Sequence, residues 1–86
     1  MYRVNYLEEA IKELFYLDKP IQRIIKEKIE LLATNPDVLK NNIKALKGEY
    51  HGKYRLRVGT YRIIYRIEHE IITITIIRIG HRKEIY

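Results

Sequence analysis

The chain has 86 residues, 47% of them hydrophobic, enough for one small core over residues 1–86 and too few for a separate cofactor domain. It contains no cysteine, which excludes disulfides and thiolate chemistry, and its apolar runs stay short of the roughly 18 residues that a membrane span needs. Seventeen Lys and Arg face 11 Asp and Glu, and the excess is uneven: residues 1–52 hold nine basic and eight acidic residues, residues 53–86 eight and three. A local excess of this kind points to a polyanion or an acidic protein partner. The first residues carry Arg3, Glu8 and Glu9 in an amphipathic pattern rather than a signal-peptide core, so a cytoplasmic protein is expected.

Residues 1–6 alternate weakly and suit a short strand. Leu7, Ala10, Ile11, Leu14 and Phe15 then recur at helical spacing and form one apolar stripe. Asp18-Lys19-Pro20 interrupts the pattern, and Pro20 suits the start of a second helix, whose first residues need no amide donor. Ile21, Ile24, Ile25, Ile29 and Leu32 mark that helix, which ends near Thr34-Asn35-Pro36. The short connection predicts an antiparallel helical hairpin. Glu8, Glu9, Glu13, Glu27 and Glu30 lie among lysines and read as solvated helix faces. Residues 37–52 are mixed: Ile43 and Leu46 can reach the core, and Gly48 and Gly52 punctuate a loop.

From Lys53 the period changes to two. With Gly59-Thr60 as a tight turn, Val58 opposes Tyr61, Arg57 opposes Arg62 and Lys53 opposes Arg66. One face then carries Tyr54, Leu56, Val58, Tyr61, Ile63, Tyr65 and Ile67. The other carries Lys53, Arg55, Arg57, Arg62, Ile64 and Arg66, and a slip of one residue would bury the arginines. A third strand is predicted over about 71–79, with Ile72, Ile74 and Ile76 on the apolar face and Thr73, Thr75 and Ile77 on the basic one. Two helices cover only one face, so the expected fold is α+β: an N-terminal helical hairpin on one side of a small twisted, mainly antiparallel sheet, with a concave basic surface on the other. Like charges opposed on an open face cost stability. Alternate strand residues lie ~6.6–6.8 Å apart, a spacing at which each arginine can address a different phosphate oxygen or base edge.

Leu46-Lys47-Gly48, the run Tyr54-Arg55-Leu56-Arg57-Val58-Gly59-Thr60-Tyr61-Arg62-Ile63-Ile64-Tyr65 and the ending Ile79-Gly80-His81-Arg82-Lys83-Glu84-Ile85-Tyr86 together resemble the RelE/ParE superfamily, the ending its RelE branch. The resemblance covers nearly the whole chain. It implies a fold of the microbial ribonuclease type, an endoribonuclease that cuts mRNA in the ribosomal A site and inhibits translation, and a RelB-like antitoxin that wraps the toxin in a hetero-oligomer. It implies catalytic roles for Lys53, Arg55, Arg62, Arg82 and Tyr86, with Arg62 at the reacting phosphate and Tyr86 orienting the attacking 2′-hydroxyl. It leaves Arg57, Arg66 and Lys83 as RNA-binding residues. The family often has lysine where this chain has Arg55, so the identity of the general base stays open.

RNA cleavage through the 2′-hydroxyl needs a base, a stabiliser of the phosphorane and an acid for the leaving oxygen. Guanidinium groups hold their proton too tightly to act as bases, so arginines suit charge stabilisation and Lys53 is left as a candidate base. Such weak acid–base groups predict dependence on a ribosome that positions the message. His81 reads as a loop histidine filling the turn at Gly80, and His51 and His69 as surface loop residues. The three lack metal-ligand spacing, so no metal and no cofactor are expected. Tyr54, Tyr61 and Tyr65 read as core. Two other functions fit the resemblance: a ParE-like inhibitor of DNA gyrase, and a non-catalytic module that only binds an antitoxin.

Overall fold

The computed structural model describes residues 1–81; Arg82, Lys83 and Tyr86 lie outside the described residues. β1 (Arg3–Tyr6) leads into α1 (Glu8–Tyr16) and α2 (Lys19–Thr34), the two helices the periodicity predicts. Glu8 and Glu9 sit in the first turn of α1, where carboxylates offset the positive end of the helix dipole. Asp18 caps α2 at the backbone, with Pro20 just inside. The Gln22 amide nitrogen closes the connection by donating to the Leu17 carbonyl at 2.7 Å. A 3₁₀ segment, Pro36–Asn42, follows, then β2 (Ile43–Ala45), a second 3₁₀ turn (Gly48–Tyr50), β3 (Tyr54–Val58), β4 (Tyr61–Glu68), a third 3₁₀ turn (His69–Ile71) and β5 (Thr73–His81).

The strands form one sheet in the order β1-β5-β4-β3-β2. β1 runs parallel to β5, and the remaining neighbours are antiparallel. The Leu7 amide continues the parallel ladder by donating to the Ile76 carbonyl at 3.0 Å, so α1 springs directly from β1 and passes along β5. Leu56, Ile63, Tyr65, Ile74, Ile76 and Ile79 of the sheet pack with Ala10, Leu14, Ile25, Ile29, Leu32 and Ala33 of the helices in a single core. The helices therefore cover the apolar face that strand alternation predicts. Gly59 has φ +59° and Thr60 is not left-handed, the sign pattern of a type II′ hairpin turn with glycine first.

The register holds for β3 and β4: Arg57 opposes Arg62 and Val58 opposes Tyr61. It stops at Tyr54–Tyr65, one step short of the expected Lys53–Arg66 pair, because the Lys53 amide and carbonyl bond instead to Tyr50 and Leu46 of the preceding turn. β5 starts and ends later than its alternation suggests. Ile72 is no strand residue but a half-exposed left-handed connector with φ +49°. A bulge at Ile77 shifts the phase, so Arg78 rather than Ile77 faces Ile64. β2 has only three residues, too few for a visible period, and its pairing with β3 comes from tertiary contact.

Candidate functional site

The face away from the helices is built from aligned rows. Lys44 of β2 opposes Arg55, Arg55 opposes Ile64, and Ile64 opposes Arg78. One row along, Arg57 opposes Arg62, and Arg62 opposes Gly80. Arg55 and Arg62 are thus diagonal neighbours, ~7–8 Å apart at the backbone. Gly80 places no side chain beside Arg62. Ile64 is fully buried although it sits on this face, ringed by Arg55, Arg62, Arg66 and Arg78, whose aliphatic stems are suited to cover it. The Nε atoms of Arg55 and Arg62 are shut off from solvent, and Nη2 of Arg55 donates to the Asn42 carbonyl at 3.4 Å. Arg57 is exposed and Lys53 half-buried.

This surface is not a bare concave sheet. The connection from β2 to β3 turns over it, and residues 44–50 enclose with Arg55 and Arg62 an open groove of about 620 Å³. Among the described residues that line it, four are cationic: Lys44, Lys47, Arg55 and Arg62. Lys44 and Lys47 escaped sequence reasoning because β2 was not visible; with that strand known, opposition to Arg55 would have placed Lys44 here.

Beyond Ile64 the face changes character. Arg66 lies 3.7 Å from Glu68, and Glu68 accepts a 2.8 Å hydrogen bond from the buried Thr75 hydroxyl. At the α1 side, Arg78 makes a bidentate pair with Glu13 at 2.7–3.1 Å, and the Ile79 amide donates to the same carboxylate at 2.9 Å. Glu13 is therefore a structural clamp rather than part of a solvated face. Its hydrogen bonds raise the Arg78 pKa above the ordinary value. Burial opposes this, and the charges of Glu13, Glu9 and Tyr50 add to it.

The predicted site residues divide accordingly. Arg55, Arg57 and Arg62 are together, Lys53 lies just before β3 and outside its ladder, and Arg66 stands apart with Glu68. Arg82, Lys83 and Tyr86 fall outside the described residues. His81 is a strand residue rather than a loop one; it opposes Tyr61, with the rings edge-on at 5.9 Å. His69 accepts or donates at 3.1 Å to the Tyr2 hydroxyl, and His51 is an exposed turn residue. No group of three or more metal-type ligands occurs among the described residues.

Residues 4–86 match the family model of the ParE toxin of the type II parDE toxin–antitoxin system. The chain belongs to this ParE toxin family. Among related members, toxin RelE3 of Methanocaldococcus jannaschii is 37% identical over 98% of this chain and 94% of its own length. The mRNA interferase toxin RelE of Escherichia coli K12 is 26% identical over 99% and 90%. The archaeal RelE of the RelE–RelB complex from Pyrococcus horikoshii superposes with a TM-score of 0.78 at 29% identity, covering 96% of this chain and 97% of that one. This ParE-family chain is thus a type II toxin with the α+β fold of the RelE structures.

Proposed function

We propose that this toxin cleaves messenger RNA in the ribosomal A site and is held inactive in a complex with a RelB-like antitoxin, both in the cytoplasm. The observation that carries the reading is the cluster of Arg55, Arg57 and Arg62 on one sheet face beside the groove. Relatives described as an mRNA interferase and as RelE in a RelE–RelB complex support it.

On this reading Arg62 and Arg55 stabilise the negative charge that gathers on the phosphorane. Their donors are fixed by the sheet before substrate arrives, so little reorganisation is needed in the transition state. Arg57 contacts a flanking phosphate, while Arg66 and Lys83 extend the RNA path. Lys53, just before β3, is the candidate base; Arg82 adds charge at the leaving group and Tyr86 orients the 2′-hydroxyl. The guanidinium groups supply the cationic charge, and we take the chemistry to be metal-independent.

Purified toxin added to translating ribosomes should cut the message within the A-site codon, as mapped by primer extension. Arg62→Ala should lower the single-turnover rate by about 10²–10³-fold with an unchanged circular dichroism spectrum. Intact message beside inhibited DNA supercoiling in a parallel gyrase assay would instead favour the gyrase function.

A further inference from the structure

We propose that the groove beside Arg55 and Arg62 is a nucleoside subsite, in which Tyr50 stacks on a base of the bound RNA and Glu49 selects bases that carry an exocyclic amino group. The proposal rests on the ribonuclease reading above and adds to it a source of base preference.

The groove's volume of about 620 Å³ falls in the range of small-ligand pockets, ~300–1,000 Å³. Its four cations can hold phosphates, which fix the register of a strand without reading its sequence. Among the described residues that line it, Tyr50 is the aromatic one, and it is half-exposed. Tyr54, Tyr61 and Tyr65 pack on the helix side of the sheet. Stacking on an aromatic ring is how proteins hold a base splayed from a single strand.

The turn that presents Tyr50 is ordered before RNA arrives. Gly48 and Gly52 bracket it at φ +67° and +88°, a conformation that side chains with a Cβ resist. The Tyr50 amide donates to Lys47, His51 to Gly48, Lys53 to Tyr50 and Leu46 to Lys53, at 2.9–3.3 Å. A platform held this way needs little ordering on binding, which favours affinity.

Glu49 lines the same groove. A carboxylate repels phosphate and can only accept hydrogen bonds. Among four cations it is unsuited to the backbone and suited to a base edge that donates. Adenine, cytosine and guanine each present an amino group, whereas uracil flanks its single N–H with two carbonyl oxygens. The carboxylate therefore discriminates against uridine at the subsite.

The test is single-turnover cleavage on ribosomes programmed with A-site codons in which each position is varied through all four bases. Wild-type toxin should disfavour uridine at one position. Tyr50→Ala should slow cleavage by about 5–150-fold, the range expected for one lost stack, while Tyr50→Phe stays within about 2-fold of wild type. Glu49→Gln should erase the penalty on uridine, because an amide can also donate to its carbonyl oxygens. Unfolding midpoints identify any variant damaged in its fold, and for such a variant the Phe and Gln substitutions carry the decision. Equal rates for all bases in wild type, or Tyr50→Ala cutting like wild type, would overturn the subsite while leaving the ribonuclease reading intact. Absence of any cleavage by wild type would overturn both.

Discussion

Tyr65 shows how one residue's surroundings set a measurable property. Its side chain is buried and stacked on Tyr54, ring centroids 5.6 Å apart. Burial, with a smaller contribution from Tyr54, pushes its pKa from 10.0 up to about 12. Below pH 10 both folded and unfolded chains keep this proton, and the stability it secures is fully present. Between pH 10 and about 12 the unfolded chain releases it first, so stability falls by about 3 kcal/mol across that window and then levels off. Tyr65→Phe removes this component. Urea unfolding from about pH 9 to 11.5 should show wild type losing more stability than the variant; parallel curves would refute the assignment. The same residue shows what side-chain alternation reveals. Tyr54, Tyr61 and Tyr65 were legible as core because they share a strand face with Leu56 and Ile63. Glu13 was not, since its sequence neighbours are lysine and leucine and its partners lie 65 and 66 residues away.

At the scale of elements, Glu13 joins α1 to the part of β5 that β1 does not reach. β1 pairs with β5 only as far as Ile76, so the Ile79 amide would face outward from an edge without the carboxylate. Glu13→Ala leaves that amide and the Arg78 guanidinium without their acceptor, and should cost about 1–3 kcal/mol. Native-state hydrogen exchange should show lost protection at Ile79 and little change in β3. At the other end of β5, Ile72 holds φ +49°, where a β-branched side chain is strained. Ile72→Asn should raise the unfolding midpoint, by about 1 kcal/mol in stability, because asparagine tolerates this conformation. Both features also limited the sequence reading. A left-handed isoleucine and a bulge at Ile77 break the period of two, so the third strand was placed two residues early at each end. The β3–β4 hairpin carried no such break, and its register was legible from Val58–Tyr61 to Tyr54–Tyr65, though not at the expected Lys53–Arg66 pair. β2 and the turn over the basic face were not, because three residues carry no period and the turn is placed by contacts with the sheet.

For the whole molecule, the net charge of +6 is less informative than its placement. Arg66 and Arg78 are each paired with a carboxylate, so the cations on the open sheet face do not form one uniform field. On the proposed reading, Lys44, Lys47, Arg55, Arg57 and Arg62 around the groove form the cluster that takes a polyanion. Binding to single-stranded RNA releases counterions, and each phosphate contact steepens the fall of log affinity with log salt by about 0.7. Lys44→Ala should therefore flatten that slope by about 0.7 with an unchanged fold, since Lys44 is exposed on an edge strand. Arg66→Ala should flatten it less, because Glu68 already offsets that charge at 3.7 Å. Fluorescence anisotropy with a labelled, 2′-O-methylated oligonucleotide over about 50–300 mM salt would measure both. Equal slopes for the two variants would mean that RNA follows the whole sheet face rather than the groove, and would shift the path of the bound strand toward β5.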